Sequence, residues 1–301
     1  DRSNIGWGGR MADLIRDMNQ AKDISMNISL SGTNIFQTGN ETIEFAIDPR
    51  SGSIGISGYG TTNMYDQFNL ARTHAIDTLL DHSYQDVFQK TYMDVIRSSR
   101  DGHVSFTKAL ESAVDLQTPF SDNEISQAFR MIARTISAHE SLQFKRQIFF
   151  VNFSGWDHHD EVLNNQSQML GIVDNALSEF NMALEELQMF NQVTTFTASE
   201  FGRSLTSNGN GTDHAWGGNV MVMGGAVNGK KMHGKYPLLT ANNDLNIYDG
   251  IMIPTTSVDQ YFAELGLWMG VAPNDLKYML PNIGNFYDTA SGKAPLGFLK
   301  I

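Results

Sequence analysis

The sequence predicts an α/β fold, a mostly parallel sheet covered by helices with a small β-rich segment near the start. Three observations predict it. Apolar residues alternate with polar ones between 20 and 60, helical periodicities recur from 63 onward, and short apolar runs bracket a long helical stretch in the second half.

The elements follow in order. From Trp7 to Asn19, Met11, Leu14, Ile15 and Met18 share one face of a short helix. Ile24, Met26, Ile28 and Leu30 then alternate with Ser25, Asn27, Ser29 and Ser31, and Ile43, Phe45 and Ile47 alternate again after Gly39-Asn40, so this stretch reads as strands with one solvated face. Gly52 to Gly60 is a glycine-rich loop. Between Asn63 and about Arg100, Phe68, Ala71, Ala75, Ile76, Leu79, Leu80, Val87, Phe88 and Val95 recur at helical spacing, as a long or broken helix. Ser121-Asp122-Asn123-Glu124 has capping-box spacing and starts a helix that runs to about His139.

Gln147 to Phe153 is a short apolar run. A helix from about Glu161 to Phe190 follows, with Leu170, Val173, Leu177, Phe180, Leu184 and Leu187 inward. Val193 to Ala198 and Val220 to Val227 are two more short runs bounded by glycine. Strand, helix, strand is the mark of a parallel sheet, and a right-handed crossover would place the loops after Phe153 and Ala198 at one sheet edge, where open α/β sheets bind ligands. Near the end, Ser257 and Gln260 have capping-box spacing ahead of a helix that buries Tyr261, Phe262, Leu265 and Trp268. No internal repeat, low-complexity linker or clean boundary divides residues 1–301.

Composition narrows the function. Of 301 residues 41% are hydrophobic and 18% charged, enough to build a substantial core, and 21 basic against 33 acidic residues leave a formal charge of −12. That balance repels phosphate backbones and argues against nucleic-acid binding. Without cysteine there is neither a disulfide nor a thiolate ligand, so any metal is held by oxygen and imidazole. No run reaches the roughly eighteen apolar residues of a membrane span, and Asp1-Arg2-Ser3-Asn4 has no basic-then-apolar leader.

Three segments carry residues suited to chemistry. Gly155-Trp156-Asp157-His158-His159-Asp160 follows a predicted strand, where Asp157 and His159 can converge on a cation; the same residues would also serve a solvated turn that caps the next helix. Ser199-Glu200-Phe201-Gly202-Arg203 follows another strand. There Glu200 offers a further metal ligand and Arg203 a bidentate grip on phosphate or sulfate, or the two form a structural ion pair. In Asn208 to Gly218 the glycines can present Asp213 and His214 at the mouth of a cleft. His74 and His82 lie on a helix with no acidic partner at ligand spacing in line with both, and His103, His139 and His233 stand singly. No Gly-x-Ser-x-Gly nucleophile elbow is present.

Taken together, "FFVNFSGWDHHDEVLNNQ", "VTTFTASEFGRSLTSNGNGTDHAWGGNVMVMGGAVNGKK" and "IPTTSVDQYFAELGLWMGV…LPNIGNF" resemble the domain of unknown function 1501 family over nearly the whole chain. The resemblance implies an alkaline-phosphatase-like, sulfatase-like fold and export through the twin-arginine route to the periplasm or the cell exterior. It also implies a divalent metal ion, zinc, manganese, iron or calcium, held by Asp157, His159, Glu200 and His214. Asp213 would orient His214 or ligate, and Arg203 would grip the substrate anion. Phe201 stands where the superfamily's Asp-His pair has its histidine, which implies an incomplete two-metal site. The chain resembles the family's carboxyl-terminal portion, a single domain over 1–301 without the amino-terminal strand and loop, so an amino-terminal fragment or partner chain would complete the sheet. The function expected is hydrolysis of phosphate or sulfate esters, and the alternative is a non-catalytic exported structural or binding protein that keeps the fold.

Overall fold

A computed structural model describes residues 4–21, 23–240 and 242–301. Asp1, Arg2 and Ser3 of the leader reading, and Lys22 within the 20–60 segment, lie outside the described residues. In chain order the helices are α1 (Trp7–Ile15), α2 (Gln67–Asp81), α3 (Val87–Glu111), α4 (Glu124–Ser137), α5 (Val162–Glu186), α6 (Val258–Met269) and α7 (Leu276–Met279). The strands are β1 (Asn27–Ser29), β2 (Phe45–Ala46), β3 (Ile148–Phe150), β4 (Thr195–Phe196), β5 (Gly202–Ser207), β6 (Thr212–Ala215) and β7 (Val222–Met223). The result is a mixed α/β protein with a small parallel sheet and several helices.

That sheet has the order β2-β1-β3, with Ile28 opposite Phe45 on one side and Phe149 on the other. Being central, β1 is buried on both faces, as parallel strands are. The solvated face expected from its alternating serines and asparagine is therefore absent: Asn27 and Ser29 are as completely buried as Ile28. Their polar groups are paired by the chain that folds back over them. Asn27 Nδ2 donates to Gln37 O (2.8 Å), Ser29 Oγ to Gly32 O (2.5 Å), and Gln37 Nε2 to Ile28 O (3.2 Å) and Ile148 O (2.9 Å). Ile28 joins a core that runs through Met11 and Ile15 of α1, Phe129 and Ile132 of α4, Phe180 and Leu184 of α5, and Ile283.

Two expectations about connectivity are corrected. The apolar runs around 195 and 222 do become strands, but β4 pairs antiparallel with β7 (Thr195 opposite Met223) and not with the parallel sheet, so β3, α5 and β4 do not form one crossover unit. The segment Asn208 to Gly218, read as a loop, holds the tip and second strand of an antiparallel ribbon, β5 with β6. Four of the seven described strands are thus antiparallel, and the sheet structure is not mostly parallel. Periodicity identifies a strand but not its partner, and two-residue strands leave pairing to the tertiary contacts around them.

Helix boundaries follow local chemistry. The capping box at Ser257 and Gln260 is present at the start of α6. At α4 the cap is Asn123, whose side chain accepts from Ser126 N, because Ser121 donates instead through both N–H (3.0 Å) and Oγ (2.6 Å) to Glu179 on α5. The broken helix of 63–100 is α2 and α3, each started by an aspartate cap, Asp66 and Asp86. Much of its apolar stripe is exposed, at Phe68, Leu79, Val87, Phe88 and Val95, while Leu80 is buried.

Candidate metal centre

The chain leaving β3 runs through Gly155, at φ +99°, into the Trp156 turn and reaches α5 through Glu161, which also has a left-handed backbone. No side chain caps α5. The tip of the β5–β6 ribbon fills that place. Asn210 O accepts from Val162 N (3.2 Å), Asn208 Nδ2 donates to His159 O (2.8 Å), and Asn210 Nδ2 donates to Asp160 Oδ1. The tip itself is an Asx turn, with Asn208 Oδ1 accepting from Asn210 N (3.1 Å) and Gly211 N (2.7 Å). Segments about 50 residues apart in sequence are thereby fastened together.

The seam brings three ligand atoms to one point. Asp157 Oδ1 lies 2.6 Å from His214 Nε2 and 2.9 Å from His159 Nε2, and the two imidazole nitrogens are 3.2 Å apart. These three residues form a group able to hold a metal ion among the described residues. The nitrogen separation is close to the edge of a tetrahedron built on zinc–nitrogen bonds, about 3.3 Å. A hydrogen bond from His214, with the nearby His159, His214 and Arg203, holds the Asp157 carboxyl below the usual carboxylate range, so it stays ionised as a ligand must. All three side chains face solvent.

The other expected site residues fall outside this trio. Glu200 is exposed and is not part of the ligand group. Asp213 neighbours His214 on β6, and successive strand residues face opposite ways. Its Oδ1 accepts from the His214 backbone N–H (2.8 Å) instead. Arg203 is opposite His214 in the ribbon and 3.7 Å from Asp157, but its guanidinium donates to Thr212 O (2.9 Å) and Trp156 O (2.7 Å), tying the two loops together. It acts here as a brace. Three of the remaining histidines have hydrogen-bond partners outside the ligand group: His103 with Ser53 Oγ, His139 with Ile136 O and His233 with Asn228 O.

The residues that build the seam, Asn208, Asn210 and Gly211, were readable only as a glycine-rich loop. Asn-Gly between extended stretches is a hairpin signal that would have located them. Gly211 is irreplaceable for a steric reason, since a Cβ there would lie 2.3 Å from His159 O. We expect Gly211→Ala to lift the hairpin from the Trp156 turn and weaken cation binding roughly tenfold, as loss of an outer-shell support does; unchanged affinity in a calorimetric titration would remove the hairpin from the argument.

These elements define a mixed α/β protein with a solvent-facing Asp-His-His group at the junction of a strand-end loop and a β-ribbon. A family model described as protein of unknown function (DUF1501) matches residues 80–276, and the chain belongs to that family. No curated protein and no solved structure matches the chain.

Proposed function

We propose that Asp157, His159 and His214 bind one divalent cation and that the bound ion serves hydrolysis of phosphate or sulfate esters, in a single domain of alkaline-phosphatase-like type that is exported. The observation that carries the reading is the convergence of one carboxylate oxygen and two imidazole nitrogens within 3.2 Å of one another. Three protein ligands on an exposed surface leave coordination positions for water or a substrate oxygen, the pattern of catalytic rather than closed structural sites. A cation there would lower the pKa of bound water, polarise an ester oxygen and offset the chain's negative charge locally. Nitrogen and oxygen ligands suit zinc, manganese or iron better than calcium, which prefers oxygen alone.

A second reading, a non-catalytic protein that keeps the cation, is favoured by two observations: Arg203 directs two donors to backbone carbonyls, and Glu200 adds no ligand. Titration of purified protein with Zn2+ or Mn2+, followed by assay of aryl phosphate and aryl sulfate with and without chelator, separates the two. Chelator-sensitive turnover is the expected result. Binding without turnover moves the protein to the second reading, and no binding of any divalent cation removes both.

A further inference from the structure

Phe201 precedes β5 by one residue, and its ring is nearly parallel to the His214 imidazole, with 6° between the planes and 4.1 Å between centroids. Because Arg203 is opposite His214 in the ribbon, residues 201, 203 and 214 share one face of it. We propose that Phe201 is the positioning residue of the cation site, the flat wall that fixes the His214 ring with Nε2 toward Asp157. The proposal rests on the cation site proposed above.

Ligating histidines ordinarily donate their second ring N–H to a carboxylate or carbonyl, which fixes ring orientation. Among the described residues no group is hydrogen-bonded to His214 Nδ1, and the side chain is 44% exposed, so hydrogen bonding does not set its rotamer from behind. Stacking supplies the restraint. A parallel contact at 4.1 Å fixes the plane of the ring, because a tilted imidazole would drive an edge into the phenyl face, and the 2.6 Å contact of Nε2 with Asp157 Oδ1 selects between the two coplanar flips. The wall is itself braced: the Arg203 guanidinium lies 5.2 Å from the Phe201 centroid and is pinned by Thr212 O and Trp156 O. Phe201 has no ligand atom, so it acts on the cation only through His214.

The test uses the full chain and Co2+, whose visible absorption reports coordination. Phe201→Leu removes the aromatic wall while keeping an apolar side chain, and Phe201→Tyr restores it. We expect Phe201→Leu to bind Co2+ on the order of tenfold more weakly, the cost of losing an outer-shell support, and Phe201→Tyr to bind like the original protein. In the cation-free protein the His214 ring protons should show an upfield ring-current displacement that survives in Phe201→Tyr and vanishes in Phe201→Leu. Should Phe201→Leu not fold, Phe201→Met is the second non-aromatic variant. Equal Co2+ affinity in the aromatic and non-aromatic variants overturns the positioning role and leaves the cation site standing. Absence of Co2+ binding in the original protein overturns the cation site and the role together, while the ring-current displacement still reports whether the stack exists.

Discussion

Replacing Asp157 and His214 together by alanine is expected to abolish divalent-cation binding, lowering affinity by more than the roughly hundredfold that loss of an outer-shell partner can cost. Asp157 Oδ1 is the atom to which both imidazoles turn, at 2.6 and 2.9 Å, so its removal takes away the charge that draws a cation in, and removal of His214 as well leaves His159 as the one ligand of the group. Each imidazole must be neutral to offer its Nε2 lone pair, and affinity should therefore fall as the medium is acidified. The carboxylate is held below its usual range, by the hydrogen bond from His214 first. All three side chains are exposed, so the stability of the cation-free protein should be nearly unchanged. Titration calorimetry with Zn2+, paired with denaturant unfolding of the cation-free variant, gives both numbers. A double variant that still binds Zn2+ as tightly as the original protein would eliminate this site.

The largest effect on stability is expected at Glu264 of α6. Its side chain is completely buried, and its carboxylate accepts from three backbone N–H groups of the closing segment, Leu296 (2.7 Å), Gly297 (2.7 Å) and Leu299 (2.6 Å). The segment is otherwise held by the Val227–Leu299 bridge, by Lys300 N donating to Ala226 O, and by Phe298 packing beside Tyr261. In Glu264→Gln one acceptor oxygen becomes an amide NH2 that faces a backbone donor, and the charge-assisted bonds are lost. Unfolding free energy should drop by about 3 to 5 kcal/mol. Hydrogen exchange should accelerate first at Leu296, Gly297 and Leu299. A loss under about 1 kcal/mol would show that the apolar packing of Phe298 and Leu299 holds the segment without the carboxylate.

Parts of this structure were legible before any coordinates. The helix pattern of Met11, Leu14 and Ile15, the capping box of Ser257 and Gln260, and the inward Phe180 and Leu184 depend on contacts within a few turns of chain, and local spacing reports such contacts directly. Helical spacing in α2 and α3 was equally visible, yet Phe68 and Phe88 are exposed, because periodicity marks a face without saying what covers it. Asp157, His159 and His214 stood out by residue type at a predicted strand end and beside glycines. Glu200 and Asp213 stood out by the same signal and lie outside the ligand group, which is where residue type stops being informative.

The sequence by itself determined the local elements, the absence of thiolate ligands and the short list of groups able to hold a cation, because each depends on residue chemistry and near-neighbour spacing. Only the tertiary structure decided that β1 is buried on both faces, that β4 pairs with β7 and that β5 and β6 form a ribbon whose tip grips His159 and Val162. It also decided which candidates meet. Alternation along β6 sends His214 and Asp213 to opposite faces, and the hairpin register places Arg203, and beside it Phe201, next to His214. The pairing of β1 with β3 and of β4 with β7, and the grip of the hairpin tip on the Trp156 turn about 50 residues earlier, are made by hydrogen bonds between segments distant in sequence, which no local pattern encodes.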